Sequence, residues 1–415
     1  MSPPDRPRVL LLSMHTSPVD QPGTGDAGGM NVYVWHLAHA LAPAGWAVDM
    51  ATLDRDPSHS PGIRTTDLAP GVRLLTVALA GAAEVPKEGL PGFARAFGEA
   101  LAQHYADDAA PVLHAHYWLS GVAGMHMAHV LGAPLVLTLH TSAAAKNLRA
   151  GSDESPEPHE RESAERELVA HACRTVVNTP AEQRQVVELY GADPASVVVI
   201  PPGVDPEVFH PPVPDERDEP RDEPRDEPFT VLSAGRMQPL KGQQVLIRAL
   251  GALRRSHPDV PVRLLLAGVG SPDFLAHLRE LADAEGVASA VDLRGSLPRE
   301  DLARLMGRVD AVAVASSSET FGLVAVEAQA CGTPVLATDV DGLRYAVRDG
   351  ETGRLVPDRE PASWADALYR AARDPGAWRA MSHAARLRAR ELTWDDVAAQ
   401  HAAAYLACAA REHDA

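Results

Sequence analysis

The chain has 415 residues, 45% hydrophobic and 23% charged, with a formal net charge of -18. That length accommodates two domains, each able to bury its own core. The acidic balance excludes a nucleic-acid partner, because binding a phosphate backbone requires a basic surface.

Three cysteines, Cys173, Cys331 and Cys408, lie far apart with no CxxC pair, so neither a disulfide framework nor a zinc site is expected. Met1–Pro7 is polar and Pro-rich, and no apolar run reaches the length of a bilayer span. A soluble cytoplasmic protein with no membrane partner is the expectation.

In chain order, Arg8–Met14, Ala47–Leu53, Val72–Leu79, Pro111–Tyr117, Pro134–His140, Thr175–Asn178 and Val197–Ile200 read as buried strands. Amphipathic stretches lie between them, one with Met30, Val34, Leu37 and Leu41 at helical spacing. Asp215–Pro228 then breaks the pattern with DERDEPRDEPRDEP, eight acidic and three basic residues with nothing to bury, which reads as a solvated loop. Strand candidates resume at Phe229–Gly235, Val262–Gly268, Val291–Gly295, Ala311–Ala315 and Pro334–Thr338, with helical patterns through Gln243–Arg255, Pro272–Glu285 and Phe321–Cys331. Ala-rich helical sequence runs from Ala362 to Ala410.

This alternation predicts an α/β protein with parallel sheets covered on both faces. Two doubly wound, Rossmann-like domains are expected, one over residues 1–205 and one over 206–392. Helix 393–410 is expected to pack back on the first. With two such domains, the default site is a cleft between them, beyond the carboxyl ends of the strands.

Three segments carry candidate chemistry. Pro22–Tyr33 (PGTGDAGGMNVY) is glycine-rich, follows the first strand and opens the Met30 helix. It suits phosphate at a helix N-terminus, or is a plain glycine turn; its spacing is not the dinucleotide GxGxxG. Gly235–Gly242 (GRMQPLKG) follows a strand directly, and Arg236 and Lys241 could hold a diphosphate leaving group or could be solvated surface cations. Glu319 and Glu327 flank a helix start. At i and i+8 they share a face and could accept hydroxyl hydrogen bonds from a sugar or ribose, or could be a dipole-complementing acid and an unrelated surface Glu. His140 ends a first-domain strand beside Thr141, and His15 follows the first strand; isolated histidines are more often structural.

Together these segments resemble retaining glycosyltransferases of family four, which have the GT-B fold. The match extends through His15–Val34, HAHYWLSG (His114–Gly121), HTSAAAKN (His140–Asn147) and FGLVAVEAQACGTPV (Phe321–Val335), nearly the whole chain outside the acidic repeat. Within that family it is most similar to the actinobacterial branch that glycosylates an inositol phosphate. The resemblance implies transfer of N-acetylglucosamine from UDP-N-acetylglucosamine to 1D-myo-inositol 3-phosphate, the first step of mycothiol synthesis. A paralogue with another nucleotide sugar or acceptor is the alternative.

The resemblance assigns the acceptor to His15, Asp26, Asn31, Lys87, Tyr117, Thr141 and Arg161. It assigns the donor to Gln21, Pro22, Gly29, Arg236, Lys241, Leu297, Glu319, Phe321, Gly322, Leu323 and Glu327. His140, Arg236, Lys241 and Glu319 are the catalytic set. Lys87, Arg161, Tyr117 and Thr141 are two cations and two hydroxyl donors, a set suited to a phosphate dianion. No carboxylate is placed as a covalent nucleophile, so same-face attack is expected, with the fixed cations stabilising the departing diphosphate. No cofactor is required; Mg2+ is compatible with this scheme but not needed. A homodimer is compatible with the family. The chain departs from it at Val340-Asp341-Gly342-Leu343-Arg344, where Val-Gly-Gly-Leu-Pro is common.

Overall fold

The computed structural model describes residues 6–21, 28–108, 110–149, 156–212 and 227–413. Pro22, Asp26 and nearly all of the acidic repeat lie outside the described residues. The chain divides into two compact units, Met1–Gly203 with Trp394–Ala415, and Val204–Thr393.

The first unit is built on β1 (Arg8–Leu12), β2 (Ala47–Leu53), β3 (Gly62–Ala69), β4 (Val72–Ala78), β5 (Val112–His116), β6 (Leu135–Thr138), β7 (Arg174–Val177) and β8 (Val197–Val199). Their order in the sheet is β3-β4-β2-β1-β5-β6-β7-β8, parallel except where β3 runs antiparallel to β4. β1 lies in the middle, with Val9 opposite both Val48 of β2 and Val112 of β5. Residues Val9 to Leu12 are completely buried, because helices cover both faces and every side chain of a central parallel strand points into one of two cores. One core contains Leu10, Leu12, Phe97, Leu101 and Leu137; the other contains Val9, Leu11, Val34, Leu37 and Leu41.

The second unit carries β9 (Phe229–Ala234), β10 (Val262–Ala267), β11 (Val291–Gly295), β12 (Ala311–Val314), β13 (Val335–Thr338) and β14 (Gly353–Val356). They form an all-parallel sheet ordered β11-β10-β9-β12-β13-β14. In both sheets the strand order reverses beside the first strand, which makes each unit doubly wound as expected. Two strands have no counterpart in the sequence reading. β3 is an edge strand whose Arg64–Asp67 stretch is exposed, so it lacks a hydrophobic pattern. β14 is four residues long and follows a turn at Gly350.

The Ala-rich segment resolves into helices Pro361–Arg373, Pro375–Ala389 and Trp394–His413. The first break is local chemistry: Pro375 opens a new helix, whose N-terminus is capped by the Asp374 carboxylate accepting from the Ala377 amide at 3.0 Å. The last helix packs within the first unit. Trp394 stacks on His36 at 5.3 Å between ring centroids, and Tyr405 meets Trp46 edge-on at 5.4 Å.

That helix also corrects the reading of the cysteines. Cys173, just before β7, is joined to Cys408 by a disulfide, with Cα atoms 5.8 Å apart and 235 residues of sequence between them. Sequence spacing could not pair them, because only the return of the last helix onto β7 brings them together. Cys331 is a buried free thiol. The denatured, unreduced protein is therefore expected to titrate one thiol and the reduced protein three; three thiols before reduction would refute the pairing.

Candidate functional site

In the first unit the expected residues follow strand ends. Tyr117 comes directly after β5, and its amide donates to the Thr138 carbonyl of β6 at 2.8 Å. His140 and Thr141 come just after β6. Tyr117 (φ 75°) and His140 (φ 60°) both adopt left-handed backbone, an uncommon conformation for residues with a Cβ.

Arg161 is the organising group. It lies in helix His159–His171 and is only 3% exposed. One Nη donates to both the carbonyl and Oγ1 of Thr141 at 3.0 Å, and the guanidinium sits 4.8 Å from the Tyr117 ring centroid. The Tyr117 ring in turn meets the His15 ring at 4.5 Å. Four of the seven expected acceptor residues are thus one contiguous group.

Arg161 is also heavily paired. Its Nε donates to Glu165 at 2.7 Å and its other Nη reaches Glu157 at 2.8 Å. Glu165 is fully buried and additionally accepts from the Ala143 amide at 2.7 Å and from the Tyr190 hydroxyl. Burial is the largest single influence on Arg161 and would lower its pKa; Glu165, Tyr117 and Glu157 together outweigh it and raise the pKa above the ordinary value. Glu157, Glu165 and Tyr190 were missed by the sequence reading. Glu157 and Glu165 stand four residues either side of Arg161, a helical spacing that could have flagged them.

Asn31, 1% exposed, is committed to structure. Its side-chain amide donates to Thr16 Oγ1 at 2.8 Å and the Ser17 carbonyl at 2.6 Å, and its Oδ1 accepts from the Gly28 amide at 2.9 Å. It ties the loop after β1 to the start of helix Gly29–Leu41, whose first residue, Gly29, is exposed. Lys87 is exposed at the start of the short helix Lys87–Phe93, and Gln21 is exposed in the loop after β1.

His140 belongs to a buried ring cluster. Its Nε2 is 2.9 Å from His116 Nδ1, and the His116 ring is 4.1 Å from that of His114. His114 bonds Tyr405 at 2.7 Å and Thr138 at 2.9 Å, and Tyr33 bonds His401 at 3.0 Å. Burial, helped by the nearby His15, lowers the His140 pKa to about 3. The other three histidines are also lowered, chiefly by burial, so the cluster is neutral at pH 7.

In the second unit, Gly235–Lys241 leaves the end of β9. Gly242 (φ 79°) starts helix Gln243–Ser256, and a Cβ there would collide with the Ala315 carbonyl at the end of β12. Arg359 pins the turn by donating to the carbonyls of Pro239 at 2.7 Å and Ala315 at 3.0 Å. Lys241 is paired with Glu319, whose carboxylate also accepts from Ser316 Oγ at 2.9 Å. The two motifs that the sequence presents 78 residues apart meet through this pair.

The geometry of the two acids differs from the expectation. Glu319 lies in the loop before the helix, as the sequence reading places it; the helix starts only at Leu323, after Gly322 (φ 95°), so no helical period connects the two acids and the i, i+8 argument does not apply. Glu327 is one turn into the helix, not two. It is only partly exposed, and burial pushes its pKa up to about 7 against the opposing charge of Arg299. Phe321 is buried; Leu297 and Leu323 are partly buried against the same core. Arg236 is partly exposed, with its carbonyl accepting from Gln243 at 3.1 Å. Asp341 stands with φ 33°, and its carboxylate accepts from Ser318 Oγ at 2.9 Å.

Among the described residues, no three His, Cys, Asp or Glu are grouped to hold a metal, and no helix is long and apolar enough to cross a membrane.

Comparison with known proteins agrees with this architecture. Residues 215–388 match the family described as glycosyl transferases group 1, and residues 27–208 match glycosyltransferase family 4. The chain is 43% identical over 401 residues to D-inositol 3-phosphate glycosyltransferase of Pseudarthrobacter chlorophenolicus, covering 94% of this chain and 93% of that one. It is 43% identical over 413 residues to the protein of that name from Actinosynnema mirum, covering 96% of each. Among solved structures, sucrose-phosphate synthase from Thermosynechococcus elongatus superposes with a TM-score of 0.85 at 32% identity, covering 98% of this chain and 100% of that chain. Anabaena Alr3699/HepE, solved in complex with UDP and glucose, shares the fold with a TM-score of 0.69 at 20% identity, covering 95% of this chain and 98% of that one. The chain belongs to glycosyltransferase family 4, alongside the D-inositol 3-phosphate glycosyltransferases, and is a GT-B glycosyltransferase.

Proposed function

We propose that this glycosyltransferase transfers N-acetylglucosamine from UDP-N-acetylglucosamine to 1D-myo-inositol 3-phosphate with retention of anomeric configuration, the first step of mycothiol biosynthesis. The observation that carries the acceptor is the convergence of Arg161, Thr141 and Tyr117 from three separate segments, with Arg161 3.0 Å from Thr141 Oγ1. A buried guanidinium beside the Thr141 hydroxyl and over the Tyr117 ring suits a phosphate dianion and has little purpose for a neutral acceptor. Lys87 adds a second cation and His15 addresses the polyol; the resemblance alone adds Asp26, which lies outside the described residues. Asn31 contributes by fixing the loop that carries His15. The names of the relatives, at up to 43% identity over nearly the whole chain, support the same acceptor.

On the donor side Arg236 and Lys241 stabilise charge building on the departing diphosphate, assisted by the helix N-terminus at Gly322–Leu323. The resemblance assigns Gln21, Pro22 and Gly29 to the diphosphate and backbone near Leu297 to the base. Glu319 holds Lys241 in place and addresses the donor sugar. His140, kept neutral by burial, donates or accepts a hydrogen bond to the sugar without adding charge. A donor phosphate oxygen takes the acceptor's proton as the new glycosidic bond forms on the face the diphosphate leaves.

Arg236→Ala and Lys241→Ala are each expected to lower kcat by roughly 100-fold, the scale of losing one preorganised charge stabiliser; near wild-type turnover in both would remove this mechanism. Paired assays with UDP-N-acetylglucosamine are expected to show transfer to inositol 3-phosphate and little to free inositol. Efficient transfer to free inositol would favour another acceptor.

Glu327 gives a pH signature. Read as the acceptor of the ribose hydroxyls' hydrogen bonds, it must be ionised to bind, and its pKa near 7 means that binding requires proton loss below that pH. The Kd for UDP-N-acetylglucosamine is expected to fall about tenfold from pH 6 to pH 8, and Glu327→Gln to flatten that dependence. A wild-type Kd constant across this range would remove Glu327 from the ribose site.

A further inference from the structure

Only three of the 38 lysines and arginines in this chain are lysines: Lys87, Lys146 and Lys241. Two of these are assigned to phosphate groups in the reading above. The third, Lys146, lies in helix Ala143–Arg149, directly after His140 and Thr141. Its Nζ donates to Glu157 Oε1 at 2.7 Å, while the other oxygen of the same carboxylate receives Arg161 Nη1 at 2.8 Å. Glu157 therefore bridges Lys146 to the guanidinium that holds Thr141.

The charges around Arg161 explain what the bridge does. Arg161 faces two carboxylates, Glu157 and Glu165, so on its own it sits in a negative cluster. Lys146 brings the four groups to neutrality and occupies one Glu157 oxygen. Without it, Glu157 would remain beside Arg161, because its backbone is fixed independently. The Glu157 amide donates to Asn147 Oδ1 at 2.7 Å, and Asn147 Nδ2 donates back to the Glu157 carbonyl at 3.4 Å. Its full charge would then oppose any anion approaching Thr141 and Tyr117. An ammonium suits this place in a chain otherwise rich in arginine. It bonds one carboxylate oxygen as a point charge, whereas a guanidinium's planar fork takes both and would compete with Arg161 for Glu157.

We propose that Lys146 is a positioning residue for the acceptor's phosphate: by holding Glu157 it removes the excess negative charge at Arg161 and keeps Arg161 directed to Thr141. Lys146 itself does not touch the phosphate. This rests on the reading that Arg161 faces the phosphate of the acceptor.

The test uses the full chain and compares KM for inositol 3-phosphate with KM for free inositol, at saturating UDP-N-acetylglucosamine. Lys146→Met is expected to raise KM for inositol 3-phosphate about tenfold or more, with a much smaller effect on kcat and on KM for free inositol. The double variant K146M/E157Q, which removes both charges of the bridge, is expected to recover most of that loss. A merely structural role for Lys146 would make the double variant as poor as the single or worse. The proposal is overturned if Lys146→Met keeps the wild-type preference for the phosphorylated acceptor, or if K146M/E157Q is no better than Lys146→Met. If the wild-type protein itself shows no preference for inositol 3-phosphate over inositol, the acceptor reading fails and this inference falls with it. That outcome is distinct, because it appears before any variant is made.

Discussion

In a parallel sheet every strand ends on the same edge, and in each unit that constraint decides where chemistry can be placed. Backbone amides and carbonyls within the sheet are consumed by pairing, and side chains on the strands are consumed by the two cores. What is left to meet a ligand is the few residues between each strand end and the following helix. Tyr117 after β5, His140 and Thr141 after β6, and the Thr16–Asn31 contact after β1 occupy that position in the first unit. Arg236 and Lys241 after β9, Glu319 after β12 and Asp341 after β13 occupy it in the second. The interactions that hold these loops, such as Lys241 with Glu319 and Arg359 with two carbonyls, join one strand end to its neighbour.

Because position follows from the sheet, much of the site was readable from the chain. Central strands such as Val9–Leu12 are continuous apolar runs, and the polar residue that ends each run is a candidate by location alone. Legibility failed where a feature depends on contacts far apart in sequence or on backbone pairing without a hydrophobic pattern. β3 is polar and exposed over Arg64–Asp67, with apolar residues only toward its ends, and is paired along its length with β4. The Cys173–Cys408 bond depends on a helix that returns across 235 residues. Tyr190 carries no motif, and its bond to Glu165, the partner of Arg161, is a product of packing. Helix boundaries mattered as well: with Glu319 in the loop and the helix starting only at Leu323, a face argument built on helical period does not connect Glu319 with Glu327.

The last helix has consequences beyond closing the fold. Through His401 and Tyr405 it reaches the buried rings that support His140, so the C-terminal segment and a residue assigned to the sugar share one network of hydrogen bonds and ring contacts. Four neutral imidazoles so close together are tolerated because burial removes their charge; protonating His114, His116 or His401 would place an unbalanced cation in the buried interior. The Cys173–Cys408 bond anchors the same helix to the strand next to β6, which limits how far the network can relax.

Backbone strain marks the same places as electrostatics. Among the described residues, the only non-glycine positions with positive φ are Tyr117, His140 and Asp341. Such a conformation costs on the order of 1 kcal/mol or more and persists only where surrounding contacts over-determine it. Tyr117 is held by its amide bond to β6 and by the Arg161 guanidinium over its ring, and His140 by its bond to His116. Asp341 stands where the sequence resemblance leads one to expect glycine, which adopts that backbone freely. Here the carboxylate is engaged by Ser318 Oγ, one residue from Glu319. The substitution therefore exchanges conformational freedom for a polar tie between the loops after β12 and β13, beside the acid that grips Lys241. The tie stiffens the loops after β12 and β13 where a glycine would leave them freer.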